Sequence, residues 1–172
     1  MDFYKLIENR ESIRDYDSNK KIPDEVLNRI LNAGRIAPSA SNRQPWTFIL
    51  VSSEGKLAEV RDCYHREWFK QAPYVLVTIG NKSQSWVRSY DGYNSIETDL
   101  TIAMDHMILA AESEGVGTCW IIAYDYDILA KAIGLKEDEA IYCITPLGYQ
   151  NEGFKKKKKK IRKSLDEIVI RI

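Results

Sequence analysis

Residues 95–113 read SIETDLTIAMDHMILAAES, and this segment constrains the fold of the whole chain. Its composition and spacing predict a long helix with apolar side chains on nearly every face. These side chains are Leu100, Ile102, Ala103, Met104, Met107, Ile108, Leu109, Ala110 and Ala111. Such a helix must be buried on most sides. In a chain of 172 residues, we expect a second copy of the protein to supply part of that cover.

Four short runs on either side of this helix are rich in β-branched and aromatic residues, and each predicts a buried strand. They are residues 46–51 (WTFILV), 74–79 (YVLVTI), 118–123 (TCWIIA) and 140–147 (AIYCITPL). Further helices are predicted after Asp2, from Pro23 to Gly34, over residues 56–63, from Asp125 or Asp127 to Gly134, and after Ser164. The alternation of predicted strands and helices along the chain indicates an α/β or α+β sandwich in one domain, residues 1–172.

The balanced net charge hides two oppositely charged parts. The chain has 25 basic and 25 acidic residues, but residues 153–172 hold nine basic and two acidic ones, including six consecutive lysines at 155–160. The first 152 residues therefore hold 16 basic and 23 acidic side chains. With 44% hydrophobic and 10% aromatic residues, the composition excludes disordered, collagen-like and disulfide-stapled classes.

Cys63, Cys119 and Cys143 form no C-x-x-C pair, so we expect buried thiols in a reducing compartment. The first residues, MDFYKLIENR, lack the pattern of a signal peptide, and no run approaches the roughly 20 apolar residues of a membrane span. A cytoplasmic location is expected. His65 and His106 lie outside any metal-binding or triad motif, and no G-x-S-x-G, G-x-G-x-x-G or P-loop motif is present.

The first candidate for a binding site is the alternating pattern of Arg10, Ser12 and Arg14. In an extended backbone, period-two spacing puts all three side chains on one side. Two guanidinium groups and a hydroxyl could then converge on a phosphate. The alternative interpretation is a solvated charged strand.

Three further segments complete a recognisable set with R-x-S-x-R. They are A-P-S-x-x-N-x-Q-P-W at residues 37–46, G-x-G-T-C-W at 115–120 and R-K-x-L-x-E-I-V at 162–169. In this order and at these separations, the four segments resemble the signature blocks of the nitroreductase family of FMN-dependent oxidoreductases. The resemblance extends over residues 2–169.

The resemblance implies an α+β fold, a three-layer α/β/α sandwich with a mainly antiparallel central sheet, in an intertwined homodimer with FMN at the subunit interface. The cofactor-binding residues implied are Arg10, Glu11, Ser12, Arg14, Pro38, Ser39, Asn42, Trp120, Ile121, Ile122, Ala123, Lys160 and Arg162. Arg10 and Ser12 would hold the phosphate end, Lys160 and Arg162 would reach the phosphate or the ribityl chain, and Arg14 would lie nearer the ring.

By the same resemblance, Pro38, Ser39 and Asn42 would reach the flavin of the other subunit, and residues 120–123 would lie along the ring. The implied reaction takes hydride from NADH or NADPH and reduces a nitroaromatic, a quinone or another flat acceptor by ping-pong kinetics. The flavin does this chemistry, so no catalytic side chain and no metal are expected.

Two features depart from the family pattern. Ile122 stands where the family often has glycine, and a β-branched residue beside the ring could narrow the acceptor pocket. Residues 81–94 match no family block; there Trp86, Tyr90 and Tyr93 could form an aromatic wall over the substrate or simply anchor a surface loop.

Other functions remain open at this stage. The same blocks would suit a reductive dehalogenase, an activated-alkene reductase or a non-enzymatic flavin-binding protein. The lysine run also suits a polyanion binder. Against that last reading, the lysines have no interleaved aromatic residues and the rest of the chain is acidic, so no nucleic-acid partner is expected.

Overall fold

The computed structural model describes residues 2–157 and 160–172. The helices are α1 (Phe3–Asn9), α2 (Asp24–Arg35), α3 (Glu54–Arg61), α4 (Glu67–Gln71), α5 (Ile96–Ser113), α6 (Tyr126–Ile133) and α7 (Leu165–Ile168). The strands are β1 (Trp46–Val51), β2 (Tyr74–Asn81), β3 (Gly117–Thr118) and β4 (Glu139–Gly148). A 3-10 turn, Ala40–Asn42, precedes β1.

The four strands form one sheet in the order β1-β2-β4-β3, and every neighbouring pair is antiparallel. Alternate residues of β2 enter two different cores, as the period of a strand requires. Val75 and Val77 pack with residues of α3 and α6, whereas Tyr74 and Leu76 pack with residues of α2 and α5. Helices therefore cover both faces of the sheet, and the predicted α+β sandwich of three layers is confirmed.

Helix α5 is the long apolar helix that the sequence predicts. It packs on α2 and contacts β2, β3 and β4. Ile102, Leu109 and Ala110 stay only half-buried in this single chain, so the second copy expected to cover them stays a prediction. Across residues 2–157 and 160–172, no helix has the length and apolar character needed to cross a membrane.

The predicted strand at residues 118–123 was wrong in its extent. Strand β3 ends at Thr118, which pairs with Leu147; the next partner in register would be Pro146, which has no N–H to donate. The Cys119 amide instead donates to the Thr145 hydroxyl at 3.0 Å. Pairing resumes only at Ile121, in an isolated bridge with Ile144.

A β-bulge in β4 redirects one aromatic side chain. Thr78 of β2 pairs with Cys143 and the next residue, Ile79, pairs with Ile141, so Tyr142 is the extra residue. Tyr142 and Cys143 consequently both belong to the core on the α2 and α5 side. The Tyr142 hydroxyl accepts a hydrogen bond from Thr101 of α5 at 2.8 Å.

Three local features differ from the sequence predictions or were absent from them. The helix expected at residues 56–63 runs from Glu54 to Arg61, and α4 was not predicted because five residues are too few to show a period. Within residues 81–94, a bridge between Val87 and Asn94 closes a small hairpin.

A substitution at Gly148 in β4 can show how tightly the end of the sheet is packed. An added Cβ there would lie 2.8 Å from Pro73 Cδ and 3.0 Å from the Tyr16 ring, and both neighbours are stiff. We expect Gly148→Ala to lower the free energy of unfolding by about 1–3 kcal/mol, measured by urea denaturation. The matched control is Gly55→Ala in α3, where a Cβ meets nothing within 4 Å. That variant should be unchanged or up to about 1 kcal/mol more stable. An equal loss of unfolding free energy in both variants would contradict the close packing around Gly148.

Candidate anion-binding site

The segment that contains Arg10, Ser12 and Arg14 is held in place by the sheet. The Ile13 amide donates to the Thr118 carbonyl at 2.8 Å, and the Asp17 amide donates to the Tyr149 carbonyl at 2.9 Å. Ile13 is fully buried, and the Tyr16 hydroxyl donates to the Ile13 carbonyl at 2.8 Å. Because Ile13 faces the core, Ser12 and Arg14 on either side of it face the opposite way.

The chain after β4 returns to this segment and closes a cleft of about 350 Å³ beside it. The cleft is lined by Arg10, Glu11, Ser12, Arg14, Lys157, Lys160, Ile161 and Arg162. Five of these residues are basic and one is acidic. The structure therefore brings together six of the residues singled out from the sequence, although the two ends of the chain contribute them separately.

Lys160 shows the electrostatic character of the cleft most clearly. Its ammonium group donates to the Ile7 carbonyl at 3.0 Å. Partial burial, together with the positive charges of Arg10 and Arg162, lowers the pKa of Lys160 below its usual value. Like charges are thus held near one another, and a bound anion would relieve their repulsion.

Glu11 lines the cleft, but its carboxylate is engaged by the backbone of the tail. Both of its oxygens accept from the Lys157 amide, at 3.1 and 3.2 Å. The one acidic residue of the lining therefore holds the lysine run in place.

Cys119 lies close behind the cleft and stays an uncharged thiol. Burial raises its pKa, although Arg14, a hydrogen bond from Ser12, and Arg10 oppose that rise. Burial also raises the pKa of Cys63 and of Cys143 to about 12. All three thiols are free and buried, as the sequence predicted. Within the described residues, no cluster of His, Cys, Asp and Glu could hold a metal ion.

Residues 120–123 do not line this cleft. They follow shortly after Thr118, whose carbonyl accepts the hydrogen bond from the Ile13 amide. Trp120 packs edge-on against Tyr142, with ring centroids 6.3 Å apart. Ile121 is buried in the bridge to Ile144, whereas Ile122 is 68% exposed. Ala123 is also exposed, so this segment presents a small open surface next to the cleft.

The loop with Pro38, Ser39 and Asn42 is likewise absent from the cleft within one chain. It is tied to α5 instead, because the Ala40 amide donates to the buried carboxylate of Asp99 at 2.8 Å. The Ser39 hydroxyl accepts from the Gln44 amide at 2.9 Å. Ser41, Asn42 and Gln44 all have positive φ, which is costly for residues other than glycine. The loop is thus held in a defined, strained shape at the surface.

The sequence reasoning missed Glu112, Lys156 and Lys157, which attach the tail beside the cleft. Lys156 pairs with the Glu112 carboxylate of α5, and the Lys157 amide donates to Glu11. The only sequence signal was the lysine run itself, opposite an acidic body. Nothing in its pattern indicates which carboxylate or carbonyl each lysine meets.

A three-layer sandwich around an antiparallel sheet, with a cationic cleft formed by both chain ends, defines an α+β protein with a candidate site for an anion. The model of the nitroreductase family matches residues 7–66 and 57–149, and the chain belongs to the nitroreductase family. This confirms the resemblance seen in the sequence blocks.

Individual relatives support the same membership. A protein of Archaeoglobus fulgidus named "Putative NADH dehydrogenase/NAD(P)H nitroreductase" is 31% identical over 153 residues, covering 86% of this chain and 85% of the relative. An iodotyrosine deiodinase of Thermotoga neapolitana is 25% identical over 175 residues, covering 87% and 89%.

Solved structures share the fold over nearly the whole chain. A nitroreductase family protein of Clostridium difficile 630 superimposes with a TM-score of 0.86 at 30% identity, covering 99% of this chain and 98% of that one. An FMN-dependent nitroreductase of Clostridium difficile R20291 gives a TM-score of 0.78 at 25% identity, with 98% of each chain covered.

The charge coupling within the cleft can be measured without any ligand. We expect Arg10→Gln to raise the pKa of Lys160 towards its ordinary value, because one of the charges that lower it is removed. The pKa is read from the pH dependence of the lysine side-chain carbon and nitrogen NMR shifts. Arg35→Gln, at the end of α2 and outside the cleft lining, is the control and should leave the titration of Lys160 unchanged. An unaltered Lys160 titration in Arg10→Gln would contradict the coupling.

Proposed function

We propose that the chain, as one domain over residues 1–172, is an FMN-dependent oxidoreductase that takes hydride from NADH or NADPH and reduces a flat acceptor such as a nitroaromatic or a quinone. The observation that carries the proposal is the cationic cleft at the position of two signature blocks of the nitroreductase family. Family membership and the FMN-dependent relative support the cofactor and the class of reaction.

The donors of the cleft suit a flavin phosphate. A phosphate monoester carries nearly two negative charges and binds best to guanidinium, ammonium and hydroxyl donors. Arg10 and Ser12 offer such donors from the N-terminal segment, and Lys160 and Arg162 offer them from the tail. Burial and the charges of Arg10 and Arg162 lower the pKa of Lys160, and a bound phosphate would offset the part that is due to the like charges.

Arg14 is the cation best placed to act near the flavin ring. Its guanidinium lies 5.7 Å from the centre of the Trp68 ring, in a cation–π contact that limits its movement. When bound, FMN supplies the two-electron chemistry, and a positive charge near the pyrimidine edge favours its reduced state. Residues 120–123, of which Ile122 and Ala123 are exposed, would lie along the ring and leave one face open to the two substrates in turn.

A homodimer would complete this site. Pro38, Ser39 and Asn42 do not reach the cleft of their own chain, so in this proposal they serve the cofactor of the second copy. Apolar side chains left exposed on the C-terminal segment, Leu165, Ile168 and Ile170, support such an interface. One edge of β1 is also free of a partner among the described strands.

The proposed dimer can be tested by light scattering, which should give twice the mass of one chain. A monomer at micromolar concentration would contradict the dimer.

Reductive dehalogenation of a halogenated phenol is the second candidate function. The relatives named iodotyrosine deiodinase favour it. The hairpin within residues 81–94 adds a structural reason, because Tyr90 is 94% exposed and Tyr93 lies under the Arg88 guanidinium at 4.8 Å. Iodide release from diiodotyrosine with reduced enzyme would favour this reaction, and its absence beside rapid quinone reduction would exclude it.

The proposed reaction is tested on purified protein reconstituted with FMN. After gel filtration we expect flavin absorbance to remain with the protein, at about one FMN per chain, and NADH or NADPH to bleach it without oxygen. Menadione should restore the colour, and double-reciprocal plots at several menadione concentrations should be parallel, as ping-pong kinetics require. Retained flavin that neither nicotinamide reduces would leave a flavin-binding protein and contradict the enzyme.

Ile122 is expected to limit the size of the acceptor. In Ile122→Ala, removal of three exposed side-chain carbons beside the proposed ring position should lower KM several-fold for bulky nitroaromatics and leave KM for a small quinone nearly unchanged. Ile128→Ala on α6, another partly exposed isoleucine, is the control and should change neither value. Identical KM values in all three proteins would contradict the proposed position of Ile122.

A further inference from the structure

The lysine run is the feature of the sequence that the proposed function leaves unexplained. Among its described members, Lys156 makes the most buried contact. Its ammonium group donates to Glu112 and lies 3.4 Å from the Asn9 carbonyl. The Glu112 side chain is 8% exposed, so its carboxylate has little access to water and depends on this partner.

Two further contacts follow along the same run. The Lys157 amide donates to both oxygens of Glu11, and the Lys160 ammonium donates to the Ile7 carbonyl. The tail is thus attached at three successive points immediately before Arg162. For residues 161–172, the hydrogen bonds that the structure describes are made within the tail itself.

The C-terminal end of α1 attracts these cations. The last carbonyls of a helix lack intrahelical partners and carry partial negative charge. Helix α1 has no basic side chain in its own last turn. Lys156 and Lys160 supply that charge from the other end of the chain, at Asn9 and Ile7.

We propose that Glu112, acting through Lys156, is a positioning residue for the cofactor phosphate. The pair fixes the lysine run against α5 and α1, and this holds Lys160 and Arg162 opposite Arg10 and Ser12. The inference rests on the proposed function, because it assigns the supporting residues of that same site.

The need for such an anchor follows from the charges. Arg10, Lys160 and Arg162 carry like charges in one cleft, and burial together with the two arginines lowers the pKa of Lys160. Without an attachment, this repulsion would favour movement of the tail away from the N-terminal segment. Glu112 lies behind the lysines and does not line the cleft, so it attracts the tail without facing the phosphate.

The variants for the test keep size and remove one charge. Glu112→Gln and Lys156→Met each break the ion pair. Lys155→Met is the matched control, since Lys155 is exposed and forms no ion pair or side-chain hydrogen bond with the described residues. The two ligands are FMN and riboflavin, which differ only in the phosphate, and binding is followed by quenching of flavin fluorescence.

Glu112→Gln and Lys156→Met should each raise the Kd for FMN about five- to tenfold, through loss of aligned charge-assisted contacts. The Kd for riboflavin should stay unchanged, and the double variant should add little to either single one. Lys155→Met should bind FMN as the unaltered chain does. An unchanged Kd for FMN, or equal weakening of FMN and riboflavin, would overturn the proposal; equal weakening would mean that Glu112 only supports the fold.

A second measurement needs no flavin. The Lys157 amide, which is bonded to Glu11, should exchange its hydrogen faster in Glu112→Gln and at the original rate in Lys155→Met. Unchanged exchange in Glu112→Gln would refute the anchor. If the chain bound neither flavin, the proposed function would fail, while this exchange rate would still decide whether Glu112 positions the tail.

Discussion

Positive side chains from opposite ends of the chain converge in one cleft, and two carboxylates, one in its lining and one behind it, make this possible. Arg10, Lys160 and Arg162 line the same cleft and repel one another, and burial together with the charges of the two arginines lowers the pKa of the lysine. Glu11 and Glu112 oppose that repulsion by binding Lys157 and Lys156. The acidic body thus holds the basic tail at Lys156 through an ion pair and at Lys157 through a hydrogen bond from the backbone amide.

The sheet holds the N-terminal segment of the cleft in place. Because Pro146 cannot donate, β3 stops at Thr118, and its carbonyl is bonded to the Ile13 amide. Ile13 and Tyr16 then anchor the N-terminal segment in the core, and Ser12 and Arg14 are left facing the cleft. The segment that bears the arginines is thus docked on the outer edge of β3, through the bridge between Ser12 and Thr118.

The sequence could predict those features that depend on neighbouring residues, and it could not predict those that depend on residues far apart in the chain. The apolar pattern of residues 95–113 and the run of β-branched and aromatic residues at 74–79 are local, and both predicted the right elements. The end of β3 depends on Pro146 across the sheet, and the Lys156–Glu112 pair joins residues 44 positions apart, so neither could be predicted from a local pattern. Arg10, Ser12 and Arg14 were found from their spacing, and Glu11, Lys160 and Arg162 through the resemblance to a family. Pro38, Ser39 and Asn42 do not line the cleft of their own chain, and their proposed role requires a second chain.

The central claim is that this cleft recognises the phosphate of the flavin, and the relative affinity of the unaltered chain for FMN and riboflavin tests it most directly. Titration of the flavin-free protein with each ligand, followed by fluorescence, gives both dissociation constants under identical conditions. Several charge-assisted hydrogen bonds, at about 1.5–3 kcal/mol each, predict that FMN binds at least about 100-fold more tightly. Equal affinities would contradict the account, because the cations of the cleft would then contribute nothing to holding the cofactor.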